Sequence, residues 1–303
     1  MKVGRALAGL LPKGRSSLVR AVATVSKSPH QFLAECAGFR VLIDIDEHVS
    51  ATLYNYHTFE PKVIQIFESF IAPGDVVFDV GANFDWFSLV AARRTGSRGK
   101  VYAFEPDPRN IERLRANVAA NSLDQFVEII PKGITDRTGV ETLYLAPPEA
   151  GNVGRSTVMA PSAARNSVAI NIQTTTVDEF IHAGDIPTIA MLKMDIEGAE
   201  LAAIKGASDS LRRNIIKAVL MEIHPAKLGP EGVAELGNLM AHHGYNAWFL
   251  DEAMHDRRLP APVLVPLVNG LADASFNGNA HFVFVRSDLK VPVGRVKSGL
   301  EPL

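Results

Sequence analysis

From about Val76 onward, short apolar runs alternate with amphipathic runs whose apolar positions recur at helical spacing. That order predicts an α/β fold, a mostly parallel sheet with helices on both faces. Residues 76–80 predict a strand after the turn Pro73-Gly74-Asp75, and residues 86–94 a helix ended by Gly96. Residues 100–104 predict the next strand. Pro108 then opens a helix to about Asn121, in which Ile111, Leu114 and Val118 share a face. Further strands are predicted at 126–130, 139–145 (as part of a hairpin), 168–176, 190–195, 218–223, 246–250 and 281–286. Further helices are predicted at 199–212 and 232–243. Residues 147–167, rich in Gly, Ala, Ser, Pro and Asn, predict a long loop of the kind that serves as a lid or binding loop or stays disordered. Residues 28–70 are of mixed character, with a helical pattern near 63–70. The expected organisation is a basic segment and cap over 1–70, a catalytic domain over 71–290 and a tail over 291–303.

Composition narrows the class. With 303 residues, 47% of them hydrophobic, the chain is long enough for a sizeable core. A net charge of -2 argues against nucleic acid as the main partner. The single cysteine, Cys36, excludes an internal disulfide framework and a cysteine zinc cluster, and suits a cytoplasmic location. No apolar run reaches the roughly 18 residues of a membrane span. Up to residue 27 the chain carries Lys2, Arg5, Lys13, Arg15, Arg20 and Lys27 and no acid. Its apolar stretch 6–11 is too short for a signal peptide. Peripheral contact with an anionic membrane, a mobile tail and a helix packed on the domain are its readings.

The sharpest local feature joins the first strand to the first helix: Asp79-Val80-Gly81-Ala82-Asn83-Phe84-Asp85. A glycine turn at a helix N-terminus lets a bound nucleoside approach the backbone. The next strand ends in Glu105, where nucleotide-binding α/β folds place an acid for ribose hydroxyls. The charge of the loop selects among nucleosides. A dinucleotide would bring two phosphates against Asp79 and Asp85, a repulsion of kcal scale in a partly buried site. S-adenosylmethionine carries an ammonium, a sulfonium and no phosphate, and fits better. The competing reading makes Asp79 and Asp85 helix caps.

These segments, followed by Phe104-Glu105-Pro106-Asp107-Pro108, Asn117 and Asn121, Leu192-Lys193-Met194-Asp195-Ile196-Glu197-Gly198-Ala199-Glu200, Lys205-Gly206-Ala207 and Met221-Glu222-Ile223, resemble the FkbM family of S-adenosylmethionine-dependent methyltransferases over roughly 75–225. The resemblance implies a class I methyltransferase (Rossmann-like) fold. It also implies O-methylation of a sugar, glycolipid or polyketide-type metabolite, the partner being a small-molecule or glycan- or lipid-linked hydroxyl. The implied cofactor contacts are Asp79, Gly81, Ala82, Asn83, Glu105 and Pro106. Gly133, Ile134 and Asp136 follow by position, beside the adenine. One departure stands out: the family's loop reads Asp-Val-Gly-Ala-Asn-x-Gly, and its last glycine is Asp85 here. Asp85 either crowds the methionine end of the cofactor or pairs with its ammonium.

Methyl transfer to oxygen needs a held hydroxyl and a base. Asp195 closes a strand on the carboxyl edge and is the first candidate, with Glu197 assisting and His224 as a third. The alternative for Lys193 and Asp195 is an ion pair that stabilises the strand end. No ligand spacing requires a metal, so none is expected, although Asp195, Glu197 and Glu222 are oxygen ligands in range of one sheet edge. His242 and His243 are expected to be structural, and His57 to pack in the cap. Arg155, Ser156 and Thr157 are candidate substrate contacts. Two other functions stay open at this level: a non-catalytic methyltransferase-like binding protein and an NAD-type oxidoreductase.

Overall fold

The computed structural model describes residues 29–146, 156–158, 168–251, 262–267 and 278–292, together with Val19, Ala21, Thr24 and Leu271. The basic residues Lys2 to Lys27, Arg155 and most of the predicted 147–167 loop lie outside the described residues. Before the sheet come an antiparallel hairpin, β1 (Gln31–Cys36) and β2 (Phe39–Asp44), and two helices, α1 (His48–Tyr56) and α2 (Pro61–Ser69). The pattern-based reading found only the second helix.

The predicted alternation then follows: β3 (Val76–Val80), α3 (Trp86–Thr95), β4 (Lys100–Phe104), α4 (Pro108–Ala120) and β5 (Val127–Ile130). A side sheet is built from β6 (Gly133–Ile134), β7 (Gly139–Leu145) and β8 (Val168–Thr175). The chain returns through α5 (Val177–Ala183), β9 (Met191–Met194), α6 (Glu200–Lys205), α7 (Ser208–Arg212), β10 (Ala218–Ile223), α8 (Pro225–His242), β11 (Tyr245–Asp251), β12 (Val263–Pro266) and β13 (Ala280–Arg286).

Eight strands form the main sheet in the order β12-β11-β13-β10-β9-β3-β4-β5. The pairings from β10 through β9, β3 and β4 to β5 are parallel, and β13 pairs antiparallel with both β10 and β11. The central strands are buried on both faces, which is why they read as continuous apolar runs. Along them, side chains alternate between two cores. Val77, Val101, Met191 and Leu220 join one, with Leu89, Val90, Leu114 and the segment before β3. Phe78, Phe104, Leu192 and Met221 join the other, with α5 to α8. Helices therefore cover both faces, as a mostly parallel α/β sheet requires.

Two helical expectations are revised. The predicted helix 199–212 is broken into α6 and α7 at Gly206. A Cβ on Gly206 would stand 2.2 Å from the Thr135 carbonyl oxygen, so the break seats the helix against β6. The predicted helix 232–243 begins earlier, at Pro225, and kinks at Gly229 (φ 69°) before Pro230. Among the described residues, no helix is long and apolar enough to cross a membrane.

Two asparagines of the sequence motif fasten the hairpin to the sheet. Asn117 accepts from the Leu42 N–H (2.6 Å) and donates to the Phe84 carbonyl (3.0 Å). Asn121 accepts from the Arg40 N–H and donates to its carbonyl, at 2.9 and 2.7 Å. Asn117→Ala leaves two interior backbone groups unpaired and is expected to cost about 2–4 kcal/mol of stability in urea unfolding. A loss under about 0.5 kcal/mol would contradict this clamping role.

Candidate active site

The chain runs outward from β3 to β4 and β5, then crosses back to lay β9 on the other side of β3. Ligands of open α/β sheets bind at such a reversal, beyond the carboxyl ends of the strands. A cavity of about 230 Å³ lies there, lined by the β3–α3 loop, the ends of β4, β9 and β10, and the side sheet.

The loop's shape is set by its neighbours. The Gly81 and Ala82 N–H groups both donate to the Phe104 carbonyl at 3.0 Å. Gly81 has φ 77°, and a Cβ on it would stand 2.0 Å from the Asp195 carbonyl oxygen. Its glycine is therefore required by the adjacent strand end, whatever ligand binds. Beneath the loop, Asp79 is fully buried. It accepts from the Ser88 hydroxyl at 2.7 Å and pairs with Lys193 Nζ at 3.4 Å. Lys193 also donates to the Gly81 carbonyl (3.4 Å), approaches Asp195 at 3.9 Å and lies over the Phe87 ring. Burial opposes the Lys193 charge, but Asp79, Asp195 and Glu60 outweigh it and hold the ammonium above its usual value.

Glu105 is buried on the cavity wall. Its two oxygens accept from the backbone N–H groups of Asn83 and Asp107, each at 2.8 Å. A carboxylate has about four lone-pair sites, and the Asn110 side chain hydrogen-bonds Glu105 as well, so roughly one remains for a ligand. Burial pushes Glu105 up to about 7. Beside it Phe104, Pro106, Ile134, Leu143 and Ile172 form an apolar slot, with Gly133 at its edge. Asp107 closes this end: Arg109 grips its carboxylate and donates to the Ala146 carbonyl, and Ser156 also donates to it (3.1 Å). Thr157 then reaches the Glu197 carbonyl at 2.9 Å, so residues 156–158 run along the rim.

At the other end, Asp195 and Glu197 line the cavity together with Glu222, Glu60, Phe59 and Asn279. His224 stands behind this wall, 2% exposed. Its Nδ1 lies 3.2 Å from Glu200, while Nε2 lies 3.5 Å from Glu197 and 3.7 Å from Glu222. Burial lowers the His224 value, but the hydrogen bond to Glu200 and the surrounding carboxylates raise it above normal. Burial and the Asp195 charge push Glu222 up to about 7, against the opposing pull of His281 and His224. Lys227 contacts Glu197 from the outer side.

The predicted residues Gly81, Ala82, Asn83, Glu105, Pro106, Gly133, Ile134, Asp195 and Glu197 thus share one cavity. Asp79, Asp136 and His224 do not line it. Asp79 pairs with Lys193, and Asp136 lies by Gly206 and Arg137. Phe59, Glu60 and Asn279 come from distant segments, and no local signal marks Phe59 or Asn279. His57 and His242–His243 are outside the lining.

Asp85 occupies the cap position of α3, but its side chain makes no capping hydrogen bond. Its φ is 119°, a conformation that suits glycine, and its carboxyl is fully buried. Burial pushes its pKa well above the carboxylate range, with Arg113 the main opposing charge.

The Methyltransferase FkbM domain matches residues 79–247. The chain belongs to this family and is an S-adenosylmethionine-dependent methyltransferase. The dinucleotide oxidoreductase reading is thereby set aside. The hexuronic acid methyltransferase AglP of Haloferax volcanii is 26% identical, covering 58% of this chain and 67% of its own. The 31-O-demethyl-FK506 methyltransferase FkbM of Streptomyces tacrolimicus is 28% identical, covering 58% of this chain and 74% of its own. The solved methyltransferase FkbM of Methylobacillus flagellatus KT is 16% identical with a TM-score of 0.42, covering 89% of this chain and 60% of that one.

Asp85→Gly removes both a backbone strain and a buried carboxyl, and is expected to stabilise the protein by about 1–3 kcal/mol. The folded state keeps the Asp85 proton above the ordinary value of 3.8. Wild-type stability should therefore fall as pH rises from about 4, and the variant should lack that share of the slope. Urea midpoints across pH check both; an unchanged or lower midpoint in the variant would contradict the strain.

Proposed function

We propose that this methyltransferase acts on a hydroxyl oxygen of a sugar, glycolipid or polyketide-type metabolite, with the methyl donor lying across the carboxyl edge of the sheet. The observation that carries the reading is Glu105, a buried acid with a lone pair left over, set between an apolar slot and an acidic chamber. When bound, S-adenosylmethionine supplies an electrophilic methyl group on a cationic sulfur.

The chain's own residues divide the remaining work. Glu105 accepts from a ribose hydroxyl, and the slot of Ile134, Leu143 and Ile172 takes the flat base. The backbone from Gly81 to Asn83, pinned to β4 and β9, sets the floor. Asp79 acts at one remove, holding Lys193 and so the junction of β3 with β9. Asp195, whose carboxylate is partly open to the cavity, accepts the hydroxyl proton, and Glu197 assists. Ser156 and Thr157 face the acceptor from the rim. Fixing the hydroxyl against the methyl group removes up to about 10 kcal/mol of barrier by orientation alone. The names of AglP and FkbM, one acting on a hexuronic acid and the other on a demethylated FK506 oxygen, support oxygen as the acceptor atom.

Isothermal titration with S-adenosylhomocysteine tests the donor site. Binding is expected in wild type and a loss of at least about tenfold in Glu105→Ala, the scale of a charge-assisted hydrogen bond. Glu105 is protonated below about 7, and accepting a hydroxyl favours the ionised form. Affinity should therefore weaken as pH falls below 7, approaching about tenfold per unit, and Glu105→Gln should flatten that slope. Preferential binding of NAD, or a pH slope that survives in Glu105→Gln, would overturn the assignment.

A further inference from the structure

The acidic chamber holds an arrangement that proton acceptance alone does not use. Asp195, Glu197 and His224 each offer a ligand atom, and these atoms all lie within 4.8 Å of one another. Two acids and a histidine gathered on a strand edge are common without an ion, so the orientation of the histidine decides. His224 is 2% exposed, and its Nδ1 faces the fully buried Glu200 at 3.2 Å. Glu200 also accepts from the Gly198 N–H at 3.0 Å, which fixes the carboxylate in place. The same Glu200 oxygen already accepts from Gly198, so the Nδ1 that faces it is assigned as the donor. The opposite nitrogen, Nε2, has no hydrogen-bond partner and points into the gap between Glu197 (3.5 Å) and Glu222 (3.7 Å). A bare lone pair facing two carboxylates is repulsive, so a positive charge belongs in that gap. A proton on Nε2 is one such charge. The geometry is also that of a carboxylate–histidine–metal triad, in which the outer carboxylate orients the ring and raises its basicity.

We propose that Asp195, Glu197 and His224 bind one divalent transition-metal ion, with Glu200 as the positioning residue behind the histidine. One imidazole nitrogen with two carboxylate oxygens is a mixed donor set suited to Mn²⁺ or Zn²⁺ rather than Mg²⁺, which prefers oxygen alone. Asp195 and Glu197 are partly open to the cavity and His224 is not, so the remaining coordination positions face the cavity. Lys227 meets the same Glu197 oxygen as Nε2 from the outer side. Its side chain is one-third exposed, so a dication displaces an ammonium that solvent already screens. Through the open positions the ion would take the acceptor oxygen and acidify its hydroxyl, whose proton passes to the Asp195 oxygen that does not hold the ion, a role that rests on the proposed function. Metal binding itself does not, because it is measured without donor or acceptor.

The test uses the full chain after EDTA treatment and dialysis, titrated with Mn²⁺ and followed by electron paramagnetic resonance. One saturable Mn²⁺ per chain is expected, with hyperfine coupling to an imidazole nitrogen in electron spin echo spectra. His224→Ala should abolish the nitrogen coupling and weaken binding at least tenfold. Glu200→Gln should weaken it about 10–100-fold while keeping the coupling. Zn²⁺ should displace Mn²⁺, and Mg²⁺ should do so only in large excess. If His224→Ala does not fold, Glu197→Gln decides, since it leaves the buried histidine pair intact and must still weaken Mn²⁺ at least tenfold. The proposal is overturned by the absence of saturable Mn²⁺, by binding without nitrogen coupling in wild type, or by unchanged affinity in Glu197→Gln. In that event the gap holds an imidazolium proton, and S-adenosylhomocysteine titration still reports separately on the donor site.

Discussion

The site depends on how closely the end of β3 is pressed against the end of β9. Only a glycine fits at position 81, because a Cβ would sit 2.0 Å from the Asp195 carbonyl oxygen. The buried Asp79–Lys193 pair locks the same junction one layer below, at 3.4 Å. A buried ion pair of this kind is costly to break singly, since either partner alone is left as an uncompensated charge. With the two strand ends fused, the loop that leaves β3 has one course, over the end of β4. There its N–H groups bind the Phe104 carbonyl and the Glu105 carboxylate. The wall that the proposed function assigns to the nucleoside and the wall it assigns to the acceptor are thus two sides of one contact.

Much of the cavity's lining is legible in the sequence because its polar residues sit at strand ends. The strands β3, β4, β9 and β10 are buried on both faces, so their apolar runs are short, continuous and abruptly ended. The residue that ends each run is polar and faces the carboxyl edge: Glu105 after β4, Asp195 after β9, with Glu222 near the end of β10. The Lys193 ion pair, weighed against a role for Asp195, is present, but its shorter contact is to Asp79.

What was not legible required contacts between distant segments. Gly81 looked like room for a ligand, and its closest neighbour is the Asp195 backbone. The Gly206 break in the predicted helix 199–212 follows from the Thr135 carbonyl, which no local pattern announces. Phe59 and Asn279 reach the cavity from outside the alternating strand–helix segments. The β1–β2 hairpin was hidden because its tie to the sheet is made by Asn117 and Asn121, some 75 to 81 residues away. Asp85 is the instructive case. The sequence marks it as the place where the family pattern fails, and the structure gives it a glycine-like φ of 119° and a fully buried carboxyl.

The central claim is that the methyl donor is held at the β3–β9 reversal with its ribose on Glu105. A crystal structure of the protein with S-adenosylhomocysteine tests it most directly. The account predicts a ribose hydroxyl within hydrogen-bond distance of the Glu105 carboxylate, the base between Ile134 and Ile172, and the sulfur toward Asp195. Density for the ligand away from this cavity, or a ribose that leaves Glu105 untouched, would contradict it.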